Sequence, residues 1–350
     1  MEDKRDKPTR PERVTLHDVA AAAGVSKSTV SRILDERLPR SESETARCVR
    51  QAAAELGYVR DFSAANLRRG KTSTIGVIVP RLTDTVMAML YESLARACAR
   101  TRQFAIVATT DDEPEADHAA AESLLNRGID GLVLSTARLG DDFPRELETA
   151  GVPFVLALRT DGYSLSSVCD DRLGGYLATR HLLDLGHRRI GLIAGPSYAS
   201  SSRGRVEGYK KAMAEIGVDI DPAWIIESSF GMDSGAEAAE KLMGLDPTPT
   251  AVFAVNDNTA IGALSTLARL GLSVPGDVSL VGYNDIPIVS HLPTPLTSVH
   301  VPFGQIAAAA IELLETRPTD ALKRIRIAMP TLIPRRSTGS PKHMEREKTR

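Results

Sequence analysis

Residues 14–32 read VTLHDVAAAAGVSKSTVSR, and this stretch carries the signals of two short helices joined by a tight turn. Thr15 is a good N-cap because its hydroxyl can accept a hydrogen bond from an orphan amide of the first turn. Asp18, three residues later, completes a capping box. Gly24 suits the left-handed residue that ends a helix, and Ser26 or Lys27 begins the next one. The spacing predicts a helix-turn-helix, whose second helix has the width to enter the DNA major groove.

A third helix is predicted at 42–57, where the sequence reads ESETARCVRQAAAELG. Ala46, Val49, Ala53 and Leu56 recur at helical spacing and are expected to face inward, and Gly57 ends the pattern. Three helices in about 45 residues bury only a small core. On this pattern alone, DNA binding and a helical hairpin that caps a larger domain remain equally open.

The bulk properties limit the class of protein. The 350 residues are enough for a small module and a two-lobed domain. Net charge is −2, yet 14 Lys and Arg stand against 11 Asp and Glu through residue 70, which gives a slightly basic head. The three cysteines are far apart and lack zinc-site spacing, so we expect free thiols in a reducing cytoplasm. No apolar run approaches the length of a membrane span, and no signal peptide is recognisable, so we expect a cytoplasmic protein with no membrane partner.

From residue 73 the pattern changes to alternating strands and helices. Short apolar runs predict strands at 75–79, 104–108, 131–134, 154–158, 190–194, 225–227, 252–255 and 278–281. Helical patterns between most of them lie at 86–101, 115–127, 173–185, 205–216, 233–243 and 258–270. Continuous apolar strands separated by helices indicate parallel sheets covered on both faces, and their number favours two α/β lobes. Ligands of such sheets bind beyond the carboxyl ends of the strands.

These signals divide the chain into segments. We expect disorder over 1–13, a helix-turn-helix domain over 14–59, a hinge or linker over 60–72 and a two-lobed body over 73–337. The N-lobe is expected at about 73–170 and 297–326, and the C-lobe at about 171–296 and 327–337. The tail, 338–350, is expected to be disordered. The hinge is too short to be a stable helix alone, so it would become one only when docked.

Signatures of catalysis are missing from the sequence. Gly70, Lys71 and Thr72 resemble the end of a phosphate-binding loop, but Ala65 stands where that loop requires a second glycine. There is no G-x-G-x-x-G, no G-x-S-x-G and no histidine pair at metal spacing. We therefore assign no catalytic residue, metal site or cofactor, and an α/β enzyme is kept only as a rival interpretation.

The chain resembles the LacI/GalR family of bacterial transcription regulators over about 14–336. The resemblance is carried by VTLHDVAAAAGVSKSTVSRILD, LGY, AANLRRGKTSTIGVIVP, HLLDLGHRRIGLIAGP, RGRVEGY, AVFAVND and VPGDVSLVGYND, in that order. It implies an all-α helix-turn-helix head on an α/β body of two parallel-sheet lobes, like that of periplasmic binding proteins.

The resemblance also implies roles in DNA binding. Lys27, Ser28 and Arg32 occupy the positions that read base edges, where an arginine can bond bidentately to guanine. Thr15, Ser26, Thr29 and Ser31 would hold phosphates, although helix capping alone could account for these hydroxyls. Leu67 matches a hinge leucine that wedges between base steps in the minor groove.

The family's effector pocket maps onto residues of both lobes. Arg205 stands at the effector-binding arginine, with Arg203 as its support, and surface ion pairing is the alternative role for Arg205. Phe230 is at a position that stacks on ligand, or else packs in the core. Asn256 lies beside it, and Asn284 replaces an Asp that grips hydroxyls. Val86 and Met87 would make the N-lobe side apolar, and Arg159 would make it cationic and suited to a phosphorylated or acidic sugar.

The implied function is that of a homodimeric repressor. It would bind a palindromic double-stranded operator, and a small carbohydrate-like effector between the lobes would control its DNA affinity through the hinge. Two alternatives stay open from the residues themselves. One is a solute-binding protein with the same body and no DNA function, and the other is a transcriptional activator.

Overall fold

The computed structural model describes residues 14–35, 39–58 and 72–342 and divides the chain into an N-terminal unit that ends at Thr72 and a body that begins at Ser73. The predicted N-terminal disorder over 1–13 lies outside the described residues. So do almost all of the predicted hinge, with Leu67, and residues 343–350 of the predicted tail.

The N-terminal unit contains the predicted helix-turn-helix. Its helices are α1 (Leu16–Ala22), α2 (Lys27–Ile33) and α3 (Glu44–Glu55). Thr15 caps α1 in a complete capping box, in which Asp18 Oδ2 accepts from the Thr15 amide at 2.7 Å. These bonds to Thr15 lower the pKa of Asp18. Gly24 has φ of 64°, which lets the chain turn after α1 at no steric cost.

Val19, Val30 and Val49 form the centre of this small core and are fully buried. Ala46 and Ala53 face inward as predicted, but Leu56 does not, because it is 39% exposed. Since α3 ends at Glu55, Leu56 is the C-cap and lies off the inward face. Ala52 is buried instead.

The body contains the two predicted α/β lobes. The N-lobe sheet has the order β11-β5-β4-β3-β1-β2 and is parallel at every pairing. Its strands are β1 (Thr74–Val79), β2 (Phe104–Thr109), β3 (Gly131–Leu134), β4 (Phe154–Ala157), β5 (Ser166–Cys169) and β11 (Ile325–Ala328). Its helices are α4 (Thr85–Arg100), α5 (Pro114–Asn126), α6 (Phe143–Thr149) and α11 (Phe303–Thr316).

The C-lobe sheet has the order β12-β10-β9-β8-β6-β7, and only β12 runs antiparallel to its neighbour. Its strands are β6 (Ile190–Ala194), β7 (Ile225–Glu227), β8 (Ala251–Ala254), β9 (Ser279–Asn284), β10 (Thr297–His300) and β12 (Thr331–Ile333). The helices are α7 (Asp171–Asp184), α8 (Ser200–Glu215), α9 (Met232–Met243) and α10 (Asp257–Arg269). Helices on both faces of parallel strands confirm the predicted fold class.

Two of the predicted lobe boundaries are wrong. Residues 297–300, which we assigned to the N-lobe, form β10 in the C-lobe sheet. Residues 327–328, which we assigned to the C-lobe, end β11 in the N-lobe sheet. The boundary at 297 was misplaced because β10 is rich in hydroxyl side chains, so no apolar run indicates that this strand is buried. Ser298 Oγ, for example, donates to the buried carboxylate of Asp257 at 2.7 Å.

The start of the predicted disordered tail is fixed to the C-lobe. Thr338 Oγ1 lies 2.9 Å from His181 Nε2, and the Gly339 amide donates to Ser279 Oγ at 3.0 Å. The Gly339 carbonyl also lies 2.8 Å from Nε2 of the buried His187. The prediction of disorder over 338–342 is therefore wrong, because these polar contacts order the segment.

His187 is a structural residue at the entry to β6, and this predicts a pH dependence of stability. Burial lowers its pKa from the ordinary 6.5, although the Gly339 carbonyl opposes the shift. His187 therefore binds a proton more readily in the unfolded chain than in the native state. The contribution of neutral His187 to the free energy of unfolding is complete above pH 6.5 and is lost as the pH falls below that value.

We test this by urea unfolding of wild type and His187→Gln between pH 8 and 5. The difference in free energy of unfolding should shrink below pH 6.5 by at most about 1.4 kcal/mol per pH unit. Groups that titrate in both proteins cancel in this difference, including Asp257, whose pKa burial raises to about 7. A difference that stays constant with pH would remove His187 from this role.

Candidate functional site

A cavity of about 480 Å³ lies between the two lobes, beyond the carboxyl ends of the strands. Loops after β1, β2, β3 and β4 form its N-lobe wall, and loops after β6, β7, β8 and β9 form its C-lobe wall. This is the predicted place for a ligand in parallel sheets. The structure brings seven of the eight expected effector residues to this cavity: Val86, Met87, Arg159, Arg205, Phe230, Asn256 and Asn284.

Arg203 is the expected effector residue that the structure places elsewhere. Its side chain is 66% exposed, and its Nε donates to Glu207 Oε1 one turn along α8 at 3.1 Å. Since 203 and 205 are two positions apart, they lie on different faces of the helix. Arg203 therefore does not support Arg205, and the expectation was wrong on this point.

Arg205 is buried beside the cavity in an ion pair, and not in the surface ion pair that was its alternative role. Its Nε donates to Asp171 Oδ1 at 2.8 Å and its Nη1 donates to the Val255 carbonyl at 2.6 Å. The guanidinium also lies 3.8 Å from the centre of the Tyr283 ring. Close packing of α7 on α8 makes this possible, because a Cβ at Gly175 would lie 2.2 Å from the Arg205 carbonyl oxygen. The charge of Arg205 is therefore balanced inside the protein.

Arg159 forms a second buried ion pair. Its Nη1 and Nη2 donate to the two carboxylate oxygens of Asp112 at 2.8 and 3.0 Å. Tyr198 Oη also donates to Asp112, at 2.8 Å. Burial works against the ionised carboxylate, but the bonds and charge of Arg159 outweigh it, so the pKa of Asp112 is lowered. The expected cationic character of this wall is therefore neutralised by Asp112.

Asn256 holds the shape of the cavity as well as lining it. Its Oδ1 accepts from the Thr259 amide at 2.8 Å and caps α10, and its Nδ2 donates to the Phe230 carbonyl at 2.9 Å. The Phe230 ring is half-buried, and the Arg159 guanidinium carbon lies 5.5 Å from its centre. Phe230 thus lines the cavity with its ring while Asn256 holds its backbone.

Several cavity residues were missed by the sequence analysis. Asp84 caps α4, with Oδ1 accepting from the Val86 amide at 2.9 Å. The same oxygen accepts from Nδ2 of Asn258 at 3.0 Å. Burial raises the pKa of Asp84, against the effect of these two donors. Asn258 follows Asn256 by two residues in the AVNDN segment, which was the available signal.

Hydrogen bonds join the lobes directly at the cavity. One is the Asp84–Asn258 bond. Tyr198 of the C-lobe donates its hydroxyl to Asp112 of the N-lobe, and the Tyr198 carbonyl accepts from the Leu139 amide at 2.8 Å. The Thr160 amide donates to Ser200 Oγ at 2.8 Å. The described conformation is therefore one in which the lobes are closed on each other.

The recognition face of the N-terminal unit is exposed at the expected positions. Lys27, Ser28 and Arg32 are exposed on α2, and Thr29 and Ser31 are half-buried. Ser26 Oγ accepts from the Thr29 amide at 3.2 Å and lies 2.8 Å from Ser28 Oγ. The Thr15 hydroxyl donates to Asp18 at 2.8 Å. Capping therefore uses two of the hydroxyls that were expected at phosphates.

The described ranges contain no cluster of three or more His, Cys, Asp or Glu side chains placed to hold a metal ion. In the same ranges, each helix is too short or too polar to cross a membrane.

Comparison with known proteins places these two units in one family. Residues 15–61 match the family of bacterial regulatory proteins of the lacI type, and residues 179–338 match a periplasmic binding protein-like domain. An HTH-type transcriptional repressor PurR of Pasteurella multocida is 33% identical over 331 residues, which cover 93% of this chain and 99% of the relative. A ribose operon repressor of Haemophilus influenzae is 32% identical over 94% of this chain and 99% of its own length.

A solved structure of the lac repressor dimer, bound to operator and the anti-inducer ONPF, has a TM-score of 0.80 at 27% identity. The match covers 94% of this chain and all of that chain. Likeness of this extent in both sequence and fold shows that the chain belongs to the LacI family of bacterial regulatory proteins.

Proposed function

We propose that the chain is a homodimeric, sequence-specific DNA-binding repressor whose operator affinity is set by a small-molecule effector bound between the lobes. The observation that carries this is the presence, in one chain, of an exposed recognition helix and a polar cavity between two hydrogen-bonded lobes. Neither a transport-type solute-binding protein nor an enzyme needs the exposed face of α2. The relatives are transcriptional repressors, which agrees with regulation rather than catalysis.

The coupling follows from how the body is connected. The N-lobe begins at Ser73, directly after the segment that links it to the N-terminal unit, and its first strand, β1, pairs with β3 and with the edge strand β2. An effector that binds one lobe angle better than another shifts the population of body states. Because each protomer of a dimer carries one linker, a change in lobe angle moves the two linkers relative to each other. The effector then changes DNA affinity by its difference in binding free energy between the two states.

The cavity supports a neutral, polar effector better than an anionic one. Both of its buried arginines are already paired, with Asp112 and Asp171. The Phe230 ring offers a stacking surface, and Asn284 lies at the wall with a buried amide. A carbohydrate-like molecule presents hydroxyls to such amides and an apolar face to such a ring. The ribose operon repressor is a relative with a sugar in its name. A regulator of DNA would act in the cytoplasm.

DNA reading is tested by selection from a pool of random duplexes with the full-length chain. We expect enrichment of an inverted repeat, because a two-fold dimer presents α2 to two half-sites about one helical turn, or a multiple of it, apart. Binding should weaken steeply as salt rises. Recovery of sequences without two-fold symmetry, or no enrichment at all, would contradict the proposal.

Leu67→Ala tests the role that the family resemblance gives to the linker. Loss of an apolar wedge between base steps should weaken binding to the selected duplex, because the contacts of the bent duplex are lost with it. Effector affinity should stay near normal. Gel-shift titration of both proteins on the same duplex measures this, and unchanged operator affinity would remove Leu67 from the role.

A further inference from the structure

Asp84 and Asn258 face each other across the cavity, one from each lobe. Asp84 caps α4 in the N-lobe, and Asn258 lies in the first turn of α10 in the C-lobe. Asn258 Nδ2 donates to Asp84 Oδ1 at 3.0 Å, and both residues line the cavity. The pair is therefore a direct bond between the lobes at the wall of the cavity.

The pair has more hydrogen-bond acceptors than donors. Asn258 is 6% exposed, and its Oδ1 is buried without a partner among the described residues. Within the same part of the chain, Asp84 Oδ2 accepts no hydrogen bond and Asp84 forms no ion pair. A buried acceptor that lacks a donor costs free energy until one is supplied.

The arginines near the cavity do not supply that donor. Arg159 donates from both Nη atoms to Asp112, and Arg205 donates to Asp171 and to the Val255 carbonyl. Arg81 lies 3.6 Å from Asp111 at the exposed rim. Asp84 is thus a half-buried cavity carboxylate that forms no ion pair among the described residues.

We propose that the Asp84–Asn258 pair determines effector specificity by binding a hydrogen-bond donor group of the ligand, either two adjacent hydroxyls or an amino group. This inference rests on the proposed function, because it concerns the effector of the same cavity. Asn258 Oδ1 is covered in the closed conformation, so a donor reaches it when the lobes part at this bond. The ligand then bridges Asp84 and Asn258 in place of their direct contact.

The same chemistry excludes an anionic group at this end of the cavity. A phosphate or carboxylate here would face a carboxylate and an amide oxygen, and a buried like-charge contact is unfavourable. The bridge also gives the ligand a route to regulation, because it replaces a bond between the lobes and so acts on their separation.

The test uses a matched panel of ligands and measures binding by thermal shift and calorimetry. The panel contains D-ribose and 2-deoxy-D-ribose, D-glucose with its 2- and 3-deoxy counterparts, D-glucosamine, adenosine with 2′-deoxyadenosine, and D-glucose 6-phosphate. We expect at least one diol or amine to bind. Its counterpart that lacks the donor should bind at least about 10-fold more weakly, which is the usual size of a hydrogen bond to a charged group.

Two variants link this preference to the pair. Asp84→Asn keeps the cap of α4 but removes the carboxylate, and it should reduce the preference for the donor-bearing ligand by about 10-fold. Asp111→Asn removes a carboxylate from the exposed rim of the same cavity and should leave the preference unchanged. Asn258→Ala should weaken the donor-bearing ligand and not its deoxy counterpart.

The inference is overturned if no diol or amine of the panel binds, if deoxy counterparts bind equally well, or if Asp84→Asn keeps the preference. Tighter binding of glucose 6-phosphate through this pair would also overturn it. Duplex binding, measured with the same preparations, distinguishes a failure of this inference from a failure of the proposed function. A chain that binds an inverted repeat but fails these ligand tests loses this inference alone, whereas a chain that binds no duplex loses the proposed function.

Discussion

Replacing Arg205 with alanine is expected to lower the free energy of unfolding of the body by about 3–5 kcal/mol. Arg205 is 6% exposed and Asp171 is 7% exposed. The Arg205 Nε lies 2.8 Å from Asp171 Oδ1, and the two charges balance each other. Removal of the guanidinium leaves a buried carboxylate without a cation and the Val255 carbonyl without a donor. Urea unfolding of the full-length protein at pH 7, followed by circular dichroism, measures the loss.

Two further variants make this result specific. Arg203→Ala removes an exposed arginine of the same helix that forms only an i,i+4 pair, so its effect should stay within about 0.5 kcal/mol. Adding Asp171→Asn to Arg205→Ala removes the stranded charge and should restore part of the lost stability. If Arg205→Ala is no less stable than Arg203→Ala, the buried pair does not have this role. Ligand binding by Arg205→Ala must therefore be read together with its folding.

Replacing Arg32 with alanine is expected to weaken binding to the selected duplex by about 1–3 kcal/mol, which is roughly 5- to 150-fold. Arg32 is exposed in the last turn of α2, where its fork can bond two acceptors of one guanine. The loss should concentrate at one base pair of each half-site. The Arg32→Ala protein should therefore discriminate less than wild type between the selected duplex and a duplex altered at that position. Fluorescence anisotropy at fixed salt measures both effects.

Arg47→Ala is the matched control, because Arg47 is also exposed in the N-terminal unit but lies on α3. Removal of a positive charge there should weaken binding slightly and equally on all sequences. Equal losses for the two variants on specific and random duplexes would mean that Arg32 contributes charge and does not read bases.

The fold was largely predictable because buried parallel strands are written as apolar runs. All eight strands predicted this way are present, from β1 at Thr74–Val79 to β9 at Ser279–Asn284. The apolar runs did not reveal the other four strands: β11 and β12 are short and at most half-buried, and β5 and β10 carry hydroxyl side chains. β5 reads SSVC and β10 reads TSVH, and their buried hydroxyls are satisfied by hydrogen bonds that no periodicity reveals. Ser167 Oγ, for example, donates to the Ile306 carbonyl, 139 residues away.

The cavity was predicted in position but not in charge. Arg159, Arg205 and Phe230 come from strand ends and helix starts that the motifs locate. Their partners come from other segments: Asp112 lies 47 residues before Arg159, and Asp171 lies 34 residues before Arg205. A single sequence gives no signal for such pairs. An arginine that the sequence predicts to bind an anion therefore has its charge balanced by a carboxylate in the structure. The Asp84–Asn258 bond, between residues 174 apart, was hidden for the same reason.

We expect a ligand between the lobes to control the affinity of the N-terminal unit for DNA. The most direct measurement of this control is the affinity of the full-length protein for the selected inverted repeat, by anisotropy at fixed salt. It is made with and without a saturating panel ligand that raises the melting temperature. The dissociation constant should shift by about 5- to 150-fold, while the affinity for a random duplex should barely change. A ligand that binds the cavity and leaves the operator dissociation constant unchanged would contradict it.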